Sequence, residues 1–89
     1  MKTLADLKRR VQPGVQLLAV DHWQDKLKGS IRTVTRTQGN GYWFCVPGDQ
    51  REMWSGYDKA AFFSFPAPNQ YRYERDGKGW TLEILGGVA

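Results

Sequence analysis

The sequence predicts a single mainly-β (α+β) domain in which one short N-terminal helix precedes about six antiparallel strands. Three observations favour this fold class. With 89 residues, the chain is long enough for one hydrophobic core and too short for two. Helical spacing of apolar residues occurs near the N-terminus, whereas later segments alternate between strand-like runs and turns rich in Gly, Pro, Asn and Asp. We expect an SH3-like small barrel or, as the alternative, a strongly curled sheet packed on the helix.

The helix is predicted from its two ends and its apolar spacing. Thr3 can cap the first turn, and Asp6 stands where a capping box places its acid. Pro13-Gly14 ends the helical pattern. The apolar positions between these signals are Leu4, Leu7 and Val11. Residues 1–14 are therefore predicted to form a helix and a turn.

Residues 15–85 are predicted to form an antiparallel β meander, and residues 86–89 a tail. Gly39-Asn40-Gly41 contains Asn-Gly, the strongest short signal for a hairpin, because both residues tolerate positive φ. Other turns are predicted at Pro47–Gln50 and at Asp76–Gly79. The segments with strand character are Val15–Val20, Ile31–Gln38, Tyr42–Val46, Arg51–Ser55, Ala61–Phe65, Gln70–Arg75 and Trp80–Leu85.

Strand alternation then predicts which side chains share a face of the sheet. An even-length loop at Gly39–Gly41 places Arg32, Val34 and Arg36 on the face of Trp43 and Cys45. A two- or four-residue turn after Val46 places Trp43 opposite Trp54 and Phe44 opposite Met53. The predicted core face contains Ile31, Phe44, Val46 and Met53, and the predicted outer face contains Arg32, Arg36, Trp43, Glu52 and Trp54. In the last hairpin, parity assigns Tyr71, Tyr73, Trp80, Leu82 and Ile84 to the core.

The predicted outer face is the candidate binding site of the chain. Guanidinium groups stack on indole rings, and Trp and Arg are enriched at protein-binding hot spots. Flat rings beside cations are also what single-stranded nucleic acid requires. Arg stems that simply cover two indoles on a solvated sheet would give the same pattern. The candidate binding residues are Arg32, Arg36, Trp43 and Trp54, together with Trp23, Lys26 and Lys28 of the loop after the first strand.

Catalytic and metal chemistry is not predicted. His22 is the single histidine and Cys45 the single cysteine, so neither a His-pair metal site nor a zinc thiolate cluster can be built. The carboxylates fall mostly in turns, where Asp is common for structural reasons. We therefore expect a non-enzyme without cofactor or metal. We also expect a cytoplasmic protein with no membrane contact, because no apolar run approaches a membrane span and the first ten residues are charged.

The segments LADLKRR-x-x-PG, IRTV, QGNGYWF and SGYDKAAFFSF give the chain an outline that resembles small proteins encoded by phages and mobile elements. Such proteins are compact single domains with a short N-terminal helix, a Gly-bearing hairpin and a strand introduced by an aromatic-x-Lys-Ala step. Some of them inhibit host defences, including CRISPR systems. The resemblance implies a biological setting and assigns no functional residue.

Three functions remain open at this stage. The first is a protein-binding module, an inhibitor or adaptor that engages a host protein through the outer face. The second is a nucleic-acid binder that uses the same face with Lys26 and Lys28, to which the net charge of +4 is suited. The third is a structural subunit that buries the tryptophans against copies of itself.

Overall fold

Seven antiparallel strands form one sheet in the computed structural model, which describes residues 1–87. The mainly-β prediction is confirmed. One helix, α1, spans Leu4–Arg10, and single 3-10 turns lie at Asp25–Leu27 and Ala60–Phe62. The strands are β1 (Val15–His22), β2 (Ile31–Gln38), β3 (Gly41–Val46), β4 (Asp49–Gly56), β5 (Phe63–Ala67), β6 (Gln70–Arg75) and β7 (Lys78–Gly87).

Helix α1 begins with the predicted capping box. The Thr3 hydroxyl accepts a hydrogen bond from the Asp6 backbone N–H at 3.2 Å, and the Asp6 carboxylate accepts one from the Thr3 N–H at 3.2 Å. Leu7 and Val11 are fully buried, so the apolar stripe of the helix faces the core. In the turn that joins the helix to β1, the Val15 N–H donates to the Gln12 carbonyl oxygen at 3.0 Å, and the Lys8 ammonium of the helix lies 5.5 Å from the centroid of the Tyr57 ring.

The strand order is β4-β3-β2-β1-β7-β6-β5. Strands β4 and β5 are the two edges, and within residues 1–87 they do not pair with each other. The sheet is therefore not closed into a barrel, and the SH3-like barrel is not formed. The curled sheet, which was the alternative prediction, agrees with the structure.

A hydrogen bond between two buried tyrosines reveals how strongly the sheet curls. The hydroxyl oxygens of Tyr42 in β3 and Tyr71 in β6 lie 2.7 Å apart. These strands are four positions apart in the sheet, which would separate them by about 19 Å in a flat sheet. The sheet must therefore fold over itself, and its concave face encloses the core.

Side chains from the concave face and the helix make up that core. The last hairpin follows its predicted parity, because Tyr71 pairs with Leu82 and Tyr73 pairs with Trp80. Ile31 departs from its prediction: it pairs with Leu18 on the opposite face and is only half buried. The buried apolar residues of the core cluster are Leu7, Val11, Leu17, Ala19, Val34, Tyr42, Phe44, Tyr57, Tyr71, Leu82 and Ile84.

The C-terminal strand is longer than predicted. The expected tail began at Gly86, but β7 continues to Gly87, where it pairs with Val15 of β1. The rest of the predicted tail, residues 88–89, lies outside the described residues.

Candidate functional site

Two tryptophans meet on the convex face of the sheet, as strand alternation predicted. Trp43 of β3 lies directly opposite Trp54 of β4, with ring centroids 5.1 Å apart and ring planes inclined by 55°. Trp43 is half buried, whereas Trp54, on the edge strand, remains 41% exposed. Neither ring lies beneath the helix, whose apolar side chains enter the core on the concave face. An exposed indole therefore projects from the edge of the sheet.

Arg36 completes this surface together with an acid. Its guanidinium carbon lies 4.8 Å from the centroid of the Trp43 ring, and its Nε donates to a carboxylate oxygen of Glu52 at 3.0 Å. The Thr35 hydroxyl donates to the same oxygen. These two hydrogen bonds, with that from Thr35 the stronger influence, lower the pKa of Glu52. We call Arg36, Trp43, Glu52 and Trp54 the outer tryptophan face, and its two charges balance.

Arg32 does not belong to this face, and the prediction that placed it there is wrong. The loop of the hairpin has the expected even length, because Gln38 pairs with Gly41. However, Arg36 pairs with Trp43 while Val34 pairs with Phe44, so Thr35 is an extra residue in β2. Such a bulge reverses the alternation for every residue on its far side. Val34 is consequently buried in the core, and Arg32 points to the concave face.

The concave face opens into a cleft of about 320 Å³ at the His22 end of β1. The cleft is lined by polar and apolar groups of β1, β2, β3, β4, β6 and β7, of the turn after β1 and of the loop after β4. We call it the inner cleft; its aromatic and charged lining consists of His22, Trp23, Arg32, Phe44, Trp54, Asp58, Tyr73 and Trp80.

Four rings of the inner cleft are stacked in a row. Tyr73, Trp80, His22 and Trp23 follow one another with centroid separations of 4.8, 5.5 and 6.2 Å and interplanar angles of 25°, 13° and 26°. The row ends at Trp23, which is 46% exposed. Its ring lies beneath the Lys78 ammonium, 5.0 Å from the centroid. One wall of the cleft is therefore a set of nearly parallel flat surfaces.

His22 is held as a neutral imidazole within this row. Its Nδ1 accepts a hydrogen bond from the Gln24 backbone N–H at 3.0 Å, which leaves the proton of the neutral ring on Nε2. Burial lowers the pKa of His22, and the positive charge of Arg32 lowers it further against the opposing effect of Asp21.

Arg32 lies inside the inner cleft and is fixed by two contacts. Its guanidinium carbon lies 4.1 Å from the centroid of the Phe44 ring, and its Nη1 donates to the Tyr42 hydroxyl oxygen at 3.1 Å. Tyr42 in turn is bonded to Tyr71, so the guanidinium is tied to the buried pair that marks the curl of the sheet. The bulge at Thr35 thus places one arginine of β2 on each face.

The remaining predicted site residues lie on the turn after β1. Trp23 is part of the inner cleft, whereas Lys26 and Lys28 are exposed on the 3-10 turn and on the residue that follows it. The predicted site is therefore divided. Trp23, Arg32 and Trp54 line the inner cleft, Arg36 and Trp43 lie beside Trp54 on the outer tryptophan face, and the two lysines flank the cleft.

Sequence reasoning missed the inner cleft, because it treated Tyr73 and Trp80 only as core and His22 only as a failed metal ligand. One signal could have suggested it. The adjacent pair His22-Trp23 stands at the end of a strand, where a ring stack can continue beyond the sheet. His22 pairs with Trp80 across the sheet because the register between β1 and β7 shifts between Ala19 and Asp21, and the sequence does not indicate this shift.

No group of three or more His, Cys, Asp or Glu side chains that could hold a metal ion lies within residues 1–87. His22 and Cys45 lie on β1 and β3, which are not neighbouring strands. The thiol of Cys45 is directed at the Gln50 carbonyl oxygen, at 3.7 Å.

Comparisons with known proteins identified no relative. No family model, curated protein or solved structure matches the chain. In the part of the chain that the structure describes, no helix is long and apolar enough to cross a membrane.

Proposed function

We propose that this chain is a non-enzymatic binding module that engages another protein through the outer tryptophan face. The observation that carries the proposal is the pairing of an exposed indole, Trp54, with a second indole and an internally neutralised ion pair on one sheet edge. Aromatic and arginine side chains of this kind dominate the binding energy of protein interfaces. Charge balance favours a protein partner over a polyanion, because the Arg36 charge is already compensated by Glu52.

The edge position of β4 adds a second supporting feature. The outward backbone groups of an edge strand are open to pairing with an added strand, a common mode of peptide recognition. The first half of β4 carries three charged residues, Asp49, Arg51 and Glu52, which discourage such pairing. The second half, Met53–Gly56, carries none and contains Trp54. An extended segment of the partner would therefore add along Met53–Gly56, with the Trp54 ring as its anchor.

The test compares two exposed tryptophans of the inner cleft, of which only Trp54 also belongs to the outer tryptophan face. The tagged protein and its Trp54→Ala and Trp23→Ala variants are used for capture from lysate with nuclease present, and the protein captured is identified and its affinity measured after purification. The resemblance to small phage proteins makes a bacterial host lysate the first choice. We expect Trp54→Ala to weaken binding at least thirtyfold, the loss of a hot-spot residue of about 2 kcal/mol, while Trp23→Ala retains it.

Folding controls and opposing outcomes complete this test. Both variants should keep the cooperative unfolding transition of the parent protein, since neither tryptophan belongs to the buried core cluster. Equal affinity of the Trp54→Ala variant and the parent for the identified partner would contradict the proposal. A dimer that light scattering detects and that Trp54→Ala dissociates would instead make a second copy of the chain the partner.

A further inference from the structure

Arg32 is a partly buried cation that lacks a carboxylate partner within residues 1–87. The chain contains seven arginines, and five of them have a carboxylate oxygen within 4.0 Å. The other two are Arg10, which is exposed on α1, and Arg32, which lies half buried in the inner cleft. Coulombic attraction is stronger where water is partly excluded. An anionic group would therefore gain more beside Arg32 than beside Arg10.

The guanidinium is also held ready to donate hydrogen bonds. The stack on Phe44 and the bond to Tyr42 fix its plane. That one bond leaves most of its N–H donors without a partner in the described part of the chain. Planar guanidinium groups match phosphate and carboxylate oxygens in pairs, so a fixed fork of this kind is suited to an oxyanion.

The acid of the cleft does not cancel this charge. The Asp58 carboxylate accepts a hydrogen bond from the Tyr73 hydroxyl at 2.6 Å and lies 3.8 Å from a guanidinium nitrogen of Arg75. Its charge is thus directed at groups other than Arg32. Among the described residues, no ion pair joins Arg32 to Asp58 or to any other acid.

Flat exposed rings accompany this unpaired cation. Trp23 ends the row of four stacked rings with nearly half of its surface exposed, and the partly exposed Trp54 also lines the cleft. The turn that supplies Trp23 also carries Lys26 and Lys28 into solvent, and Lys78 lies over the Trp23 ring. A ligand that combines a flat ring with a linear series of anions would satisfy both features.

We propose that the inner cleft binds single-stranded nucleic acid, with one phosphate at the Arg32 guanidinium and a base stacked on the Trp23 ring. Neighbouring phosphates lie along Lys26, Lys28 and Lys78. The volume of about 320 Å³ is at the lower end of ligand-binding cavities, which suits one nucleotide unit and excludes a duplex. Bases stack on aromatic side chains largely without regard to sequence, so broad sequence tolerance is expected. This inference concerns a ligand class different from that of the proposed function and a cleft that shares only Trp54 with the outer tryptophan face.

Two arginines of the same strand provide the matched comparison. Fluorescence anisotropy of a labelled ten-residue oligothymidylate is measured at several salt concentrations with the parent protein, with Arg32→Met and with Arg36→Met. Each substitution removes one positive charge from β2, but one charge belongs to the inner cleft and the other is paired with Glu52 on the outer tryptophan face. An abasic oligonucleotide of the same length separates phosphate binding from base stacking.

We expect Arg32→Met to weaken binding by about tenfold and to reduce the log–log salt slope by about 0.7, the contribution of one phosphate contact on a single strand. Arg36→Met should leave both quantities nearly unchanged. The abasic oligonucleotide should bind roughly 5- to 150-fold more weakly, as should oligothymidylate to Trp23→Ala. Trp23→Ala keeps the test decisive if Arg32→Met does not fold, because the Trp23 ring projects from the core.

Three results would overturn the inference. The first is that the parent protein does not bind oligothymidylate at low salt. The second is that Arg32→Met and Arg36→Met lose the same affinity for it, and the third is that the abasic and the intact oligonucleotide bind equally well. Arg32-dependent binding of an acidic peptide without binding of the oligonucleotide would assign the cleft to a protein ligand and would likewise overturn it.

Discussion

The buried pair of Tyr42 and Tyr71 allows the curl of the sheet to be tested by removing single oxygen atoms. In Tyr71→Phe, the Tyr42 hydroxyl still accepts from Arg32, so the loss is one buried hydrogen bond, about 1 kcal/mol. In Tyr42→Phe, the fully buried Tyr71 hydroxyl and the Arg32 guanidinium both lose their partner. The unsatisfied hydroxyl of the buried Tyr71 costs about 1–3 kcal/mol and the lost hydrogen bond of the half-buried Arg32 about 1 kcal/mol, so we expect a total loss of about 2–4 kcal/mol.

Tyr57→Phe is the matched control. Tyr57 is also buried, with 4% of its surface exposed against 1% for each member of the pair. Its hydroxyl makes no hydrogen bond to the described residues, so its removal should change stability by less than about 0.5 kcal/mol. The free energy of unfolding is measured by urea titration with tryptophan fluorescence. The Tyr42→Phe/Tyr71→Phe double variant should lose less than the sum of the single losses, because both partners are then absent. A smaller loss for Tyr42→Phe than for Tyr71→Phe would refute this reasoning.

Three further predictions concern pH and backbone packing. Burial raises the pKa of Tyr71 well above its usual value, so the native state retains a proton that the unfolded chain loses. Stability should therefore fall above about pH 10, with Tyr71 contributing up to about 1.4 kcal/mol per pH unit, and the pH dependence of Tyr71→Phe should be flatter by that contribution. Burial lowers the pKa of His22, so as the pH falls the imidazole of the unfolded chain is protonated before that of the native state. Stability should therefore fall as the pH drops below about 6.5, and His22→Gln should remove that dependence. Gly41→Ala should destabilise the fold by at least about 1 kcal/mol in thermal unfolding, because a Cβ at Gly41 would meet the Ser55 carbonyl oxygen and the Trp54 ring at 2.5 Å. Gly39→Ala should not destabilise it, because a Cβ at Gly39 would meet no atom beyond its chain neighbours within 4 Å.

Much of the fold follows from signals that are local in the sequence. The capping box of Thr3 and Asp6, the Asn-Gly hairpin and the alternation in the last two strands each lead to the observed element. The pairing of Trp43 with Trp54 was likewise predictable, because the turn between β3 and β4 preserved parity. Closure was not predictable, since it depends on how the two edge strands meet in space.

The division of the candidate site could not be predicted, because it depends on one bulged residue. The sequence of β2 does not distinguish Thr35, the bulged residue, from its neighbours. The position of the bulge depends on contacts with other strands: Val34 reaches the core, and Thr35 and Arg36 both reach Glu52. That single shift separates Arg32 from Arg36. It thereby creates a charge-balanced outer face and a cationic cleft from residues that were expected on one surface.

Nuclear Overhauser contacts of the two β2 arginines test this division most directly. With assigned spectra of the parent protein, the side-chain protons of Arg32 should show contacts to the rings of Phe44 and Tyr42, and those of Arg36 should show contacts to the Trp43 indole. Contacts from both arginines to Trp43, with none from Arg32 to Phe44, would mean that β2 has no bulge and that both guanidinium groups lie on the convex face.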